Sequence, residues 1–145
     1  MKSSHTSLGI SMRVNAMERR QMILSPDDVE YLENAFPGWE SLQAGNWVLL
    51  PNFPIPEGLS AQSATVAIQI PPNYPVTAPD MAYFYPAIQR CDGTTIPATQ
   101  VTQNIDGKIF QRWSRHYSPG TWHPDEDGIA IHIMAIKDWL DRASI

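Results

Sequence analysis

The chain has 145 residues, 43% of them hydrophobic, which is enough for a single domain with an ordinary core. Its formal net charge is −5 and it has no basic stripe with interleaved aromatic residues, which argues against a nucleic-acid partner. No apolar run approaches the roughly 18 residues that a membrane helix needs, so no membrane partner is predicted. The single cysteine, Cys91, excludes a disulfide within the chain and is typical of a reducing compartment, so we expect a cytoplasmic protein.

The chain begins with a polar stretch and then a helix. Residues 1–23 lack hydrophobic periodicity, and we interpret them as a flexible arm that precedes one domain at residues 24–145. The run Ser25-Pro26-Asp27-Asp28 supplies an N-cap serine, a proline for the first helical position and acidic side chains for the first turn. Pro37-Gly38 is expected to end this helix.

Four segments that follow have the composition of β-strands, and the short proline-rich turns between them predict an antiparallel meander. The clearest is residues 63–70, where apolar side chains occupy every second position. Pro51 is expected to end the second strand. Residues 87–107 are predicted to be mostly loop, with a turn at Asp106-Gly107, and residues 108–113 to be a short strand or a helical turn. The predicted strands are residues 39–43, 45–50, 63–70 and 81–85.

A final helix is predicted near the end of the chain, with Asp125 or Asp127 as its cap. His132 lies within its apolar part, so a core position is the simpler interpretation of this histidine. Together the elements predict an α+β fold: an N-terminal helix, a four-stranded antiparallel meander, an irregular region that carries the site, and a C-terminal helix packed on the sheet. The apolar stripe of the last helix comprises Ile129, Ile133, Ile136 and Leu140.

The most informative segment joins a proline-rich loop to the cysteine. The run Pro71-Pro72-Asn73-Tyr74-Pro75-Val76-Thr77-Ala78-Pro79 follows one predicted strand, and the next strand ends at Pro86. Cys91 comes five residues after Pro86, among charged and polar neighbours that favour an exposed position. Because catalytic residues concentrate on loops held by a rigid scaffold and a thiolate is a strong nucleophile, Cys91 is a candidate catalytic residue. A buried structural thiol is the alternative.

This order of features resembles the ubiquitin-conjugating enzyme superfamily, and in particular its divergent prokaryotic members. That superfamily has a Pro-x-x-Tyr-Pro-x-x-x-Pro flap, then a strand that ends near a proline, then the catalytic cysteine. Here Pro71, Tyr74, Pro75 and Pro79 match the flap. The resemblance implies a transferase that needs no cofactor. Cys91 would accept a ubiquitin-like protein as a thioester from an activating enzyme and pass it to a nucleophile of a target protein, usually a lysine amine.

One motif of the resembled superfamily is missing. The familiar enzymes place His-Pro-Asn ahead of the cysteine, where the asparagine assists attack on the thioester, and this chain has Tyr85-Pro86-Ala87 there. Backbone N–H groups near Asp92-Gly93, or the side chains of Asn104 or His116, are candidates to replace that assistance. His116 is also the candidate for a second catalytic residue, because it can polarise an incoming nucleophile.

Aromatic and polar residues cluster between the cysteine and the last helix. Trp113 and His123 lie in this stretch, and with Tyr74 of the flap and Asp92 they are the predicted lining of the site. The flap has a structural interpretation as well, since prolines after a strand prevent pairing at a sheet edge and a tyrosine can bury its ring. The histidines and acids of the region match no established spacing of metal ligands, so no metal site is predicted.

Two other functions are consistent with the sequence. A catalytically inactive protein-binding module of the same fold would account for the missing tripeptide, because a fold does not secure an activity. A cysteine hydrolase would use Cys91 as its nucleophile and His116 as its base. However, no helix is predicted directly after Cys91 to activate such a thiol.

Overall fold

The computed structural model describes residues 19–144, which form two helices and six strands. The strands make one antiparallel sheet with the order β1-β2-β3-β4-β6-β5. No helix in this part of the chain is long and apolar enough to cross a membrane. The elements are α1 (Pro26–Ala35), β1 (Glu40–Leu42), β2 (Trp47–Pro54), β3 (Ser63–Gln69), β4 (Ala82–Tyr85), β5 (Val101–Ile105), β6 (Lys108–Trp113) and α2 (Ile129–Ala143).

The predicted arm, residues 1–23, lies outside the described residues as far as position 18. Its last residues run beside β1, where Ser41 N–H donates to Arg19 O at 2.6 Å. The Arg19 guanidinium donates to Glu40 of β1 at 2.8 Å and to both carboxylate oxygens of Asp106 at 2.9 and 2.7 Å. β1 and β5 are the two edge strands of the sheet, and Asp106 lies in the turn after β5. Arg19 therefore links β1 to the turn at the end of β5.

Helix α1 forms where the sequence predicts it, because its end signals are local. Ser25 Oγ accepts a hydrogen bond from Asp28 N–H at 3.2 Å, and Pro26 takes the first helical position. The helix ends at Phe36, whose N–H donates to Leu32 O at 2.8 Å. Leu32 and Asp28 are its buried residues, so the helix presents one apolar and one acidic group to the interior.

The sheet has six strands where the sequence predicts four, and the error lies in residues 87–107. β5 and β6 form a hairpin around Asp106-Gly107, and both turn residues have positive φ (54° and 74°), as a two-residue hairpin turn requires. β5 has no alternating pattern because its first four residues are exposed and only Ile105 is buried. β6 lies at residues 108–113, where the sequence predicts a short strand or a helical turn, and it pairs with β4, so the missed strand β5 is added at the edge of the sheet.

Strand β2 continues through Pro51, which the sequence predicts would end it. Its register with β3 shifts between Leu50 and Phe53, and Asn52 has a φ of +58°. Pro51 therefore lies where the pairing of β2 with β3 is irregular, and its missing N–H removes no regular hydrogen bond between the two strands. The strand resumes at Phe53 and ends at Pro54.

Apolar side chains cover both faces of the sheet. On one face the alternating residues of β3 pack with the apolar stripe of α2, which confirms both patterns and the α+β class. On the other face Ile105 and Phe110 of the hairpin pack over Trp47, Leu49 and Tyr83. Each large side chain buried in this way stabilises the fold by about 1.5–3 kcal/mol. The hairpin therefore covers a second, smaller core.

The start of helix α2 is capped by a residue that is distant in sequence, and not by Asp125 or Asp127 as the sequence predicts. Its N-cap is Gly128, which has no side chain, and Ile129 N–H donates to Asp28 Oδ1 of α1 at 3.1 Å. A Cβ at position 128 would lie 2.6 Å from that same oxygen. Glycine is therefore required where the two helix starts approach each other.

His132 is fully buried in α2 and hydrogen-bonded through both ring nitrogens, which confirms the prediction of a core histidine. Its Nδ1 lies 2.7 Å from Tyr117 OH and its Nε2 lies 3.0 Å from Met81 O. The neutral ring therefore donates through Nε2 and accepts from the tyrosine. Burial lowers the pKa of His132 to about 4, against a smaller opposing effect of the bond to Met81 O.

Stability should fall as the pH is lowered from 6.5 to about 4, because only the unfolded chain binds a proton at His132 in this window. The loss is about 1.4 kcal/mol per pH unit and about 3 kcal/mol in all, and above pH 6.5 the contribution is constant. Urea unfolding at a series of pH values measures the slope. His132→Gln should flatten it and His123→Gln should not; equal slopes in wild type and His132→Gln would contradict the prediction.

Candidate functional site

Cys91 is exposed on a tight turn that follows β4, as its polar neighbours predict. Gly93 N–H donates to Arg90 O at 3.1 Å and closes the turn, with Gly93 at a φ of +81° that favours glycine. Cys91 N–H donates to Gly58 O at 2.9 Å on a neighbouring loop. The thiol is thus presented to solvent while the backbone that carries it is fixed.

Arg90 holds the Cys91 turn against the end of α2. Its Nε donates to Ala143 O at 2.7 Å and its Nη1 donates to Thr95 O at 2.9 Å. Its backbone forms an antiparallel bridge with Leu59. A cation interacts favourably with the last carbonyls of a helix and with the negative end of the helix dipole. Arg90 therefore anchors the turn and also places a positive charge one residue from the thiol.

Gln111 of β6 holds the segment that leads to Cys91. Its Oε1 accepts from Ile88 N–H at 2.8 Å and from Trp113 Nε1 at 2.9 Å, and its Nε2 donates to Ile88 O at 3.0 Å. The buried amide thus pairs with both backbone groups of Ile88, as a neighbouring strand would. Trp113, predicted to line the site, is fully buried in the core and contacts this segment through Gln111.

Replacing Gln111 with leucine should loosen the segment before Cys91. The backbone groups of Ile88 would stay buried without partners, so we expect a loss of about 2 kcal/mol in the free energy of unfolding. Amide exchange at Ile88 should accelerate by about tenfold or more. Hydrogen-exchange NMR and urea unfolding measure both effects, with Gln103→Leu at an exposed position of β5 as the control. Unchanged exchange at Ile88 in a folded Gln111→Leu variant would contradict the prediction.

Asp92, next to the cysteine, is an acceptor within the turn. Its Oδ1 accepts from Thr94 Oγ1 at 2.6 Å and from Thr94 N–H at 2.9 Å. The side-chain bond and then the backbone bond hold the pKa of Asp92 below its usual value. The N–H groups of Cys91, Gly93 and Thr94 therefore all donate within the fold. These three backbone groups are therefore not free to stabilise an oxyanion at Cys91, which leaves the Asp92 N–H, a side chain or a partner for that role.

His116 lies on the loop after β6 and pairs with a residue other than Cys91. Its Nδ1 is 3.2 Å from Asp80 Oδ2, and both side chains are more than half exposed. His116 and Arg90 line the same shallow groove of about 360 Å³, which places the histidine near the anchor of the Cys91 turn. A hydrogen-bonded cysteine–histidine pair, which a cysteine hydrolase needs, is not formed in residues 19–144.

The other predicted site residues lie apart from Cys91. Tyr74 OH donates to Asp28 Oδ2 at 2.6 Å, and burial is the main cause that raises the pKa of Tyr74. His123 is exposed in the loop before α2. Both are near the N-terminal end of this 15-residue helix, about 20 Å from the end that anchors the Cys91 turn. Asn104 lies in β5, beside the hairpin turn. Of the predicted set, the structure places Asp92 directly beside Cys91.

A groove of about 530 Å³ opens beside the Cys91 turn, and we name it the uncharged groove because its described lining residues other than Arg90 carry no charge. Gly93 of the turn lines it, and the exposed Ile109 of the hairpin contributes an apolar wall. Arg90 is the one charged residue among the described residues that line it. Most of the others carry hydroxyl or amide groups: Gln89, Thr94, Thr95, Thr99, Gln100, Thr102 and Gln111. Thr94, Thr99, Gln100 and Gln111 already use these groups within the fold. The side chains of Gln89, Thr95 and Thr102 are therefore the better placed to hydrogen-bond a peptide backbone.

The histidines of the region do not converge on a metal site. His116 is on the surface with Asp80, His123 is in the loop before α2, and His132 is buried within that helix. Nowhere between positions 19 and 144 do three or more histidine, cysteine, aspartate or glutamate side chains form a group that could hold a metal ion.

Comparison with known proteins identifies the family. The model of prokaryotic E2 family E matches residues 24–143, a span that includes both helices, all six strands of the described chain and the Cys91 turn. No curated protein and no solved structure matches the chain. An E2-like family indicates a conjugating transferase that works with a ubiquitin-like protein and an activating enzyme. The predicted relationship to the prokaryotic members of the ubiquitin-conjugating superfamily is confirmed, and the chain belongs to prokaryotic E2 family E.

Proposed function

We propose that Cys91 carries a ubiquitin-like protein as a thioester and passes it to a nucleophile of a target protein. The observation that supports this role is an exposed thiol on a turn whose backbone is held by Gly58, Arg90 and Gln111, at the edge of the uncharged groove. A thioester carrier needs an accessible thiol and a fixed position for the acyl group. The Cys91 turn offers both.

Charging exchanges one acyl bond for another. The Cys91 thiolate attacks the carbonyl carbon of the modifier's activated C-terminus, a C–S bond forms, and the bond to the activating enzyme breaks. A lysine amine of the target then attacks the same carbon, a C–N bond forms, and the sulfur leaves as a thiolate. The amine gives its proton to a base or to water. Neither step consumes a cofactor of this protein.

The uncharged groove fits the extended C-terminal tail of such a modifier. The tail must reach the thiol, and threonine and glutamine side chains can pair with its peptide groups without requiring a charge. Arg90 precedes Cys91 in the chain, and its cation would stabilise the negative charge that develops on the carbonyl oxygen during attack if the acyl group lies on the Arg90 side of the thiol. In this proposal Arg90 takes over part of the role of the missing asparagine.

The inactive binding module is the competing function. It is favoured by the backbone of the turn, because the N–H groups of Cys91, Gly93 and Thr94 are already engaged and cannot serve an oxyanion without rearrangement. The cysteine hydrolase has less support, since His116 pairs with Asp80 and not with the thiol.

A charging assay distinguishes these functions. The purified protein is incubated with its activating enzyme, the ubiquitin-like protein and ATP, and is then run on gels with and without reductant. The proposal expects an adduct of the protein and the modifier that needs ATP and that reductant removes. If an activating enzyme shown to be active gives no adduct, the binding module is the better account. A hydrolase would instead react with an electrophilic probe without ATP.

A further inference from the structure

The groove of about 360 Å³ that His116 and Arg90 line has the opposite character to the uncharged groove, and we name it the basic groove. Three arginines and a histidine converge on it in a chain whose formal net charge is −5. Because Arg90 lines both grooves, the basic groove borders the Cys91 turn. Its main lining residues are Arg90, Arg115, His116 and Arg142, with Ile96 and Trp139 as apolar walls.

Two of these arginines have backbone carbonyls as their partners. Arg90 donates to the two carbonyl groups described above, and Arg115 Nη1 donates to Pro97 O at 3.1 Å and to Ser114 O at 3.0 Å. By contrast, Arg19 at the sheet edge is bound by two carboxylates. A carbonyl oxygen satisfies the N–H groups of a guanidinium but does not neutralise its charge. The charges of Arg90 and Arg115 therefore stay available to an anion.

The acidic side chains near the basic groove compensate little of its charge. Asp80 contacts His116 at 3.2 Å and Asp138 contacts Arg142 at 2.9 Å, and all four side chains are more than half exposed. Exposed pairs of this kind are weak because water and salt screen them. Within the described residues no carboxylate forms an ion pair with the other two arginines of the groove.

We propose that the basic groove binds carboxylate side chains of an acidic segment in the protein that meets Cys91. Guanidinium groups match carboxylates in bidentate geometry, and Trp139 offers an apolar wall to the stem of a glutamate. The choice of a target protein as the ligand rests on the proposed function. A target that brings its lysine amine to Cys91 also brings the residues beside that lysine to the Cys91 turn, which the basic groove borders. Acidic residues beside the acceptor amine would then select the target.

Titration with a hexaglutamate peptide tests this site directly. In the ¹⁵N-labelled protein, the indole N–H signal of Trp139 should shift with hexaglutamate and not with hexaglutamine, and the affinity should fall as salt rises. Arg115→Gln should raise the Kd by about tenfold. Arg142→Gln, at an exposed position that leaves the fold intact, should raise it by about threefold. Lys137→Gln removes the same charge from the same helix outside the groove and should leave the Kd within about twofold.

Two results would overturn the inference: an unchanged Kd in folded Arg115→Gln and Arg142→Gln, or tighter binding of inorganic phosphate or a short oligothymidine than of hexaglutamate at Trp139. The titration needs no activating enzyme, modifier or ATP, so its failure is separate from that of the charging assay. A protein that binds the peptide as expected but is not charged would support the carboxylate site and overturn the thioester function, and with it the target protein as the occupant.

Discussion

Replacing Cys91 with serine should convert the reductant-labile adduct into one that survives reduction. The serine oxygen takes the position of the sulfur, and thiols do not cleave an oxyester as they cleave a thioester. Cys91→Ala removes the nucleophile and should abolish charging, by about a thousandfold or more in rate. Because the side chain is exposed and the turn is held by backbone contacts, both variants should keep the free energy of unfolding within about 0.5 kcal/mol.

The two variants form a matched pair, since one keeps a weak nucleophile and the other has none. Cys91 is the single cysteine of the chain, so a thiol-labile adduct of this protein can form at one position only. Gels with and without reductant, together with urea unfolding, separate loss of chemistry from loss of structure. If folded Cys91→Ala still modified a target as well as the wild type does, Cys91 would not be the carrier, and the binding module would be the better interpretation.

Replacing Asp28 with alanine should lower the free energy of unfolding by about 3 kcal/mol, because two donors lose their acceptor and one of them is the N–H that starts α2. Asp28 is only 5% exposed, and its carboxylate accepts from Ile129 N–H at 3.1 Å and from Tyr74 OH at 2.6 Å. Alanine leaves the buried Ile129 N–H and the half-buried Tyr74 hydroxyl without this acceptor. One side chain therefore fixes the start of α2 and the proline-rich loop to α1, and urea unfolding measures its contribution.

Asp27 provides the control for this prediction. It is the neighbouring acid in the first turn of α1, but it is exposed, so Asp27→Ala loses only an interaction with the helix dipole. A loss of no more than about 1 kcal/mol is expected there. Asp28→Asn keeps one oxygen as an acceptor, so its loss in the free energy of unfolding should lie between those of Asp27→Ala and Asp28→Ala. Similar losses in Asp27→Ala and Asp28→Ala would show that the buried carboxylate does not join the two helices.

The elements that the sequence predicts correctly are those whose signals are local. α1 has its cap, its proline and its stop within a few residues, and β3 alternates because one face lies against the helices. β5 is missed because an edge strand exposed on both faces has no hydrophobic period. The cap of α2 is missed because its acceptor, Asp28, lies 101 residues from Ile129, and no local motif can show such a contact.

The candidate site shows the same division. The position of Cys91 follows from a local order of prolines, strand and loop, and the resemblance to the superfamily depends on that order. The sequence does not predict the residues that hold this turn, because Gln111 is 23 residues from Ile88 and Arg90 is 53 residues from Ala143. The one signal for Gln111 is a glutamine placed among core aromatic residues of a strand. Such a glutamine is buried only if it finds partners for its amide.

Arg19 lies far from Cys91 in the sequence, but it supports the hairpin that lines the uncharged groove. The β5–β6 hairpin is paired to β4 along β6, and its turn is held by the bonds from Arg19 to Asp106. A hairpin fixed both along its length and at its tip cannot swing freely about β4. Thr102 and Ile109 therefore line the groove from a hairpin that is held both along β6 and at its turn.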